Sequence, residues 1–352
     1  ATRAPMNLLD ILSNPEDFEE GRRRVVVLTR VIPTQATIGY ERMSNQVVES
    51  VNGQPVRGLP ELENALAQTP ENGLHEIETD DNANATLLMM PAWNKNEHIG
   101  IKIVSVFPGN RNKNLSAVNA NYFLLDGKNG LPKAILDGTE LTLRRTACAS
   151  ALAADYLSRS DTDSLLMVGA GNLVPHLIEA HRQLRDISRV MVWARDFQKA
   201  KTLVQNLEYK NIEITAVKNL QEAVSNADLI SCATLSNKAL IHGKWLKPGQ
   251  HLDLVGSFTP EMHEVDSETI SIAKVSVDTY AGALTESGEL INALKEGVIS
   301  EENIVAELSE LIKREKMGRN NQNEITLFKS VGASLEDLAA AELVLKNLSE
   351  GI

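Results

Sequence analysis

The sequence lacks most of what would tie it to a nucleic acid, a membrane or an oxidising compartment. Of 352 residues, 35 are Lys or Arg and 47 are Asp or Glu, a net charge of −12. The cationic excess that a phosphate backbone demands is missing. No apolar run approaches the roughly 20 residues needed to span a bilayer. The opening stretch ATRAPMNLLDILSNPEDFEEGRRR holds no apolar segment of the kind a secretory leader carries, and its basic run GRRR reads as a solvated strand entry. Cysteine is scarce: Cys148 and Cys232 are far apart in apolar surroundings. That predicts reduced core thiols in a reducing compartment, the cytoplasm, and argues against a disulfide or a metal pair; no metal site is expected. No Gly-x-Ser-x-Gly or Gly-Asp-Ser-Gly stretch occurs, so nothing assigns serine hydrolysis. What is present is ordinary for a globular protein, 43% apolar and 23% charged, and long enough for two or more domains.

The chain changes character near residue 77. Before it, VVVLTRVIPTQATIGYERMSNQVVESVNGQPV reads as short strands with a turn at Asn52-Gly53, followed by a helix from Pro60 to Gln68. After it, TLLMMPAW and IGIKIVSVFPGN read as apolar strands, NYFLLDGKNGLPKAILDG as a hairpin, and RTACASALAADYLSR as an Ala-rich helix. From DSLLMVGAGN onward, strands and helices alternate through ISRVMVWARD, FQKAKTLVQNL, IEITAV, LQEAVSNA and DLISCATL. Such alternation implies a parallel sheet with right-handed crossovers.

Within that alternation, Gly169-Ala170-Gly171-Asn172-Leu173-Val174 follows a buried strand and opens a helix. Gly169 allows the tight turn, and Gly171 lets the backbone approach a pyrophosphate at the positive end of the helix. Val174 takes the third fingerprint position, where Gly or Ala is usual. The next strand ends in Arg195-Asp196, about 25 residues on, as a βαβ dinucleotide unit requires. A carboxylate there favours the ribose hydroxyls of NAD, and an arginine favours a 2′-phosphate. Arg195 stands first, which predicts NADP(H) with NAD(H) also admitted.

Two resemblances follow from quoted motifs. IGYE with VNGQPV resembles the PDZ-like domain of Deg-type serine proteases, over about 45 residues. IGIKIVSVFPGN, ILDGTELTLRRTACASALAADYL, LLMVGAGN, VGSFTPEMHEVD and LFKSVGASLEDLAAAELV, in one order, resemble the ornithine cyclodeaminase/mu-crystallin family from residue 77 to 352. The second resemblance implies an α/β fold: a Rossmann-type NAD(P)-binding domain at 146–309, and an α+β substrate and dimerisation domain at 77–145 plus 310–352. The PDZ-like segment, 1–76, would precede both. It further implies a homodimer acting on a small amino or imino acid. Lys102 falls on the family's active-site lysine, and Arg145, rather than Arg144, on the arginine that holds the substrate carboxylate. Gly169, Gly171, Asn172, Leu173, Arg195, Asp196, Thr234, Leu235, Lys329 and Ser330 fall on cofactor-binding positions. Asn110 and Thr139 lie in turns that face the substrate cleft.

The departures select among activities. Cyclodeaminases of this family resemble GGDCPGK where this sequence has GSFTPEM, so Phe258 replaces an aspartate that serves as a base. A phenyl ring accepts no proton, and Glu261 and His263 are displaced along the chain. GSFTPEM also resembles the ketimine-reductase branch. The expected reaction is therefore NAD(P)H-dependent reduction of a cyclic imino acid, Δ1-pyrroline-2-carboxylate to proline, with Δ1-piperideine-2-carboxylate as the second candidate. The alternatives are an ornithine cyclodeaminase or amino-acid dehydrogenase, and a non-catalytic mu-crystallin-like NADP(H) binder. The family's opening segment carries a further carboxylate-binding arginine. His75 and Glu76 stand near its expected place, and neither supplies a guanidinium.

Overall fold

The computed structural model describes residues 27–28, 46–56, 59–68, 75–79, 86–107, 110, 115–116, 118–209 and 211–350. The chain divides into two compact units, residues 1–141 with 337–352, and residues 142–336.

The first unit is built on one antiparallel sheet. Its strands are β1 (Val27–Leu28), β2 (Gln46–Val51), β3 (Gln54–Pro55), β4 (His75–Thr79), β5 (Thr86–Trp93), β6 (His98–Val106), β7 (Val118–Asp126) and β8 (Pro132–Asp137), in the order β1-β2-β4-β5-β6-β7-β8 with β3 on β2. The short helix α1 (Leu59–Ala67) lies between β3 and β4 in the chain. Asn52 and Gly53 join β2 to β3 with φ of 53° and 69°, the paired positive φ that a two-residue hairpin needs. β6 alternates buried and half-buried residues, and Tyr122 on β7 is fully buried with Ala92, Leu124, Leu141, Leu338 and Ala341. Gly100 on β6 makes room for it: a Cβ there would overlap the Tyr122 hydroxyl.

Two expectations change here. The composition shift near residue 77 is not a structural junction. β4 pairs with β5 across it, His75 opposite Met89 and Glu78 opposite Thr86, so the backbone hydrogen bonds of the earlier segment close inside the same sheet. IGYE and GRRR lie outside the described residues. The helix expected over 145–159 is α2 (Gly138–Leu157). It starts earlier because the Asp137 carboxylate accepts from the amides of Thr139 (2.8 Å) and Glu140 (3.0 Å), satisfying first-turn donors.

The second unit is a parallel sheet. β9 (Ser164–Val168), β10 (Arg189–Trp193) and β11 (Glu213–Ala216) alternate with α3 (Leu173–Leu184) and α4 (Phe197–Asn206). Then come α5 (Leu220–Ser225), β12 (Leu229–Cys232), β13 (Asn237–Ile241), β14 (His251–Leu254), β15 (His263–Val265), α6 (Ser267–Ile272) and β16 (Lys274–Val277). The remainder is α7 (Tyr280–Glu286), α8 (Gly288–Lys295), β17 (Ile304–Glu307), α9 (Leu308–Ile312), β18 (Thr326–Lys329) and the closing helix α10 (Ser334–Glu350). The strand order is β11-β10-β9-β12-β14-β18-β16-β17, with β13 and β15 forming a separate two-stranded ribbon. β9, β12, β14 and β18 are buried at every residue, as strands covered on both faces must be. The order reverses between β9 and β12. This is a Rossmann-type sheet, whose ligands belong in the crevice at that reversal, beyond the carboxyl ends of the strands.

Because β18 inserts between β14 and β16, residues 310–336 lie in the second unit rather than with 77–145. The thiols also separate. Cys232 is buried, as expected, but Cys148 is exposed, one helical turn beyond the exposed Arg144. Among the described residues, no helix is long and apolar enough to cross a membrane.

Candidate active site

Gly169, after β9, has φ +130°, and a Cβ there would lie 2.6 Å from the carbonyl oxygen of Ala233 in the loop after β12. The two loops at the strand-order reversal therefore touch, and only glycine fits between them. Gly171 is the opposite case: it is exposed, and a Cβ would meet nothing within 4 Å. Asn172 precedes α3 without capping it through its side chain, and the first turn holds no acidic residue. A helix of 12 residues thus presents its positive end with no side-chain anion of its own. Leu173 is half-buried, while Val174 is fully buried in the core of Leu165, Met167 and Leu177. A glycine kept small by a neighbouring loop, a second facing open space and an uncapped helix start fit the diphosphate of a dinucleotide.

At the end of β10, the two charged residues have different occupations. The Asp196 carboxylate accepts from the Gln198 amide at 3.0 Å and caps α4. Arg195 is exposed, with its planar fork available to an anion.

The next candidates line the ends of the central strands. The Thr234 amide and hydroxyl both donate to Glu264 at 2.7 Å, and Leu235 beside it is 60% exposed. Lys329, at the end of β18, is fully buried; its ammonium donates to the carbonyl and hydroxyl oxygens of Ser257 at 2.5 Å and stands 3.6 Å from Glu289. Its charge therefore faces protein groups. The Ser330 hydroxyl donates to Asp278 at 2.9 Å, and the same carboxylate oxygen accepts from the amides of Val331 and Gly332.

The two cationic candidates belong to different units. In the first, Lys102 sits mid-strand on β6, 2% exposed, opposite Met90 on β5 and Tyr122 on β7. Its ammonium is 2.7 Å from Asp337. The Tyr122 hydroxyl finds no hydrogen-bond partner among the described residues, and burial, then the charges of Asp337 and Glu342, push its pKa well above the usual phenol value. In the second unit, Arg145 is 8% exposed and donates to Glu336 at 2.7 Å, whereas Arg144 is exposed. Burial pushes the Glu336 carboxyl up, Arg145 pulls it down, and Asp278 pushes it up again. Gly332, φ +94°, keeps space beside the Arg145 guanidinium, which a Cβ would approach to 2.8 Å.

Asn110 and Thr139 serve the fold of the first unit. The Asn110 side chain donates to the Ser116 carbonyl at 2.9 Å, and the Thr139 hydroxyl accepts from the Ala120 amide at 3.2 Å. Phe258 is 46% exposed beyond β14, Glu261 is exposed, and His263 begins β15. No carboxylate stands at the Phe258 position.

Residues 30–351 match the family model described as ornithine cyclodeaminase/mu-crystallin. The chain belongs to this family. The match takes in most of residues 1–76, the segment expected to be PDZ-like, in agreement with the sheet continuing through residue 77. Among relatives, the chain is 33% identical over 314 residues to a Δ1-pyrroline-2-carboxylate reductase of Colwellia psychrerythraea, covering 87% of this chain and 98% of that one. A solved structure of Thermococcus litoralis Δ1-pyrroline-2-carboxylate reductase in complex with NADH and L-proline superposes with TM-score 0.74 at 36% identity, covering 79% of this chain and 87% of the other. An archaeal alanine dehydrogenase dimer with bound NAD gives 0.72 at 30% identity, covering 79% and 85%.

Sequence reasoning missed the carboxylates. Asp337 lies on the apolar stripe of α10 next to Leu338 and one turn before Ala341, all fully buried; a charge on such a stripe is the signal that could have found it. Glu264 and Glu289 carry no such mark. Their strand and helix are short, and most of their donors lie far away in the chain.

Proposed function

We propose that this member of the ornithine cyclodeaminase/mu-crystallin family reduces the C=N bond of a cyclic imino acid, Δ1-pyrroline-2-carboxylate, to the amine with NAD(P)H. The observation that carries the reading is the Rossmann-type sheet of the second unit with its fitting glycine loop; Lys102 and Arg145 are each buried within their own unit. Phe258 argues against the cyclodeaminase reaction, because amine elimination needs a base at that position. When bound, the reduced nicotinamide supplies hydride to the imine carbon. Arg145 binds the substrate carboxylate through its planar fork, with Glu336 holding that fork in place. Lys102, or a water it holds, delivers the proton to the imine nitrogen, with Asp337 orienting the ammonium. Gly169, Gly171, Asn172 and Leu173 hold the diphosphate, and Thr234 and Leu235 lie toward the nicotinamide ribose. Its free thiols suit a reducing compartment, the cytoplasm, and the dimer described for the alanine dehydrogenase supports a homodimer. Steady-state oxidation of NADPH on addition of Δ1-pyrroline-2-carboxylate tests the reaction. Ammonia release from ornithine, or tight NADPH binding with no oxidation by any cyclic ketimine, would overturn it.

Cofactor choice follows from Arg195. With Asp196 committed to capping α4, Arg195→Ala raises the KM for NADPH about tenfold or more while that for NADH moves little, since a charge-assisted contact is worth roughly 1.5–3 kcal/mol. Parallel titrations with the two cofactors measure this. Equal changes for both would remove Arg195 from phosphate recognition.

A further inference from the structure

The carboxylates of one buried knot in the second unit, Glu264 and Glu289, have no part in the reaction as described. The knot joins the carboxyl ends of β12, β14 and β18, three adjacent strands beside the strand-order reversal. Glu264, in the middle of β15, is its centre and is fully buried. One carboxylate oxygen accepts from the Thr234 amide and hydroxyl, each at 2.7 Å, in the loop after β12. The other accepts from the Gly256 amide at 3.0 Å, in the loop after β14. The two loops are pressed together, since a Cβ on Gly256 would overlap the Thr234 backbone. Glu289 on α8 forms the second layer. It accepts from the Glu264 amide at 2.7 Å and from the Ser257 hydroxyl, and Lys329 ties Ser257 to the end of β18.

We propose that Glu264 is a positioning residue for the cofactor: its ionised carboxylate clamps the loops after β12 and β14 in the form that grips the nicotinamide end of the dinucleotide. The proposal rests on the reading of this crevice as a dinucleotide site. The chemistry is one of donor count. The amides of Thr234 and Gly256 can only donate, while the Thr234 hydroxyl can also accept: a carboxylate satisfies all three groups, and a carboxylic acid protonated on the oxygen that faces the Gly256 amide breaks the bond there. The loops then lose a tie on one side. Burial pushes the Glu264 carboxyl up to about 7, Lys329 from β18 pulls it down, and Glu289 from α8 pushes it up. Burial, and after it the charges of Glu264, Asp253 and Glu289, holds the Cys232 thiol at the end of β12 well above its usual range, hence neutral. Protonation of Glu264 therefore falls inside the physiological interval.

The sign follows from linkage. If NADH binds the ionised form better, its affinity falls as pH drops through about 7, by at most tenfold per pH unit for one proton. NADH is the probe because it lacks the titrating 2′-phosphate. Fluorescence titration of the full chain with NADH from pH 8.5 to 5.5 should show Kd constant above about 7.5 and rising below. Glu264→Gln, whose amide places an N–H where the carboxylate accepted, should raise Kd about tenfold at pH 8, flatten the pH profile, and raise the cofactor KM by more than kcat falls. Thr234→Val, which deletes only the hydroxyl donor, should give a smaller rise with the pH dependence retained. A wild-type Kd that is flat across this range overturns the proposal without recourse to any variant, as does a folded Glu264→Gln protein with the wild-type profile. Absence of NADH binding at pH 8 is a different result: it removes the dinucleotide site itself, and the clamp with it.

Discussion

Lys102→Ala lowers kcat by about 10²- to 10⁴-fold, the usual contribution of a positioned proton donor, while Kd for NADPH stays within about twofold. The dinucleotide fold and Lys102 belong to different units, so a loss confined to turnover separates proton delivery from cofactor binding. Stability must be followed at the same time. Removing the ammonium leaves the fully buried Asp337 without the cation 2.7 Å away, and breaking a buried pair from one side costs about 3–5 kcal/mol. The double variant Lys102→Met with Asp337→Asn removes that penalty and should recover Tm without recovering kcat. Single-turnover NADPH oxidation with Δ1-pyrroline-2-carboxylate, read beside thermal melts, decides the matter. Unchanged turnover in Lys102→Ala would end the assignment.

Arg145→Ala raises the KM for the imino acid and lowers kcat/KM by roughly 30- to 5,000-fold, corresponding to about 2–5 kcal/mol for truncating one partner of a buried charge pair. Arg145→Lys should rescue little. A lysine restores the charge but not the two parallel N–H bonds that match a carboxylate. The side chain is buried and sits where Gly332 leaves space, and Arg144 on the same helix is exposed. The discriminating measurement is KM for the imino acid against KM for a substrate lacking the carboxylate. If Arg145→Ala affects both alike, the residue serves the fold rather than carboxylate recognition.

Much of the architecture was legible because its signals are local. Asn52-Gly53 declares a hairpin turn through backbone sterics alone, and the paired positive φ values agree. LLMV followed by Gly169 and Gly171 declares a buried strand meeting a helix, and the parallel register of β9 with β10 and β12 agrees. Arg145 is buried and Arg144 exposed, since two successive helical residues cannot share a face. The boundary near residue 77 misled because a change in composition says nothing of strand pairing, and β4 pairs with β5 across it. The partners of Lys329 were not legible: nothing in FKSVG says that its ammonium meets Ser257 and Glu289.

The order of elements and the glycine loop were determined by the sequence itself, because each depends on neighbours within a turn or two of chain; Lys102, Arg145 and Phe258 were singled out only through the family resemblance. Which carboxylates accompany those cations was decided only by tertiary structure. Asp337 reaches Lys102 from the last helix, and Glu264 reaches two loops that follow different strands. Burying a charge requires a partner at hydrogen-bond distance, and that partner is chosen by how strands and helices stack, a choice no local pattern encodes.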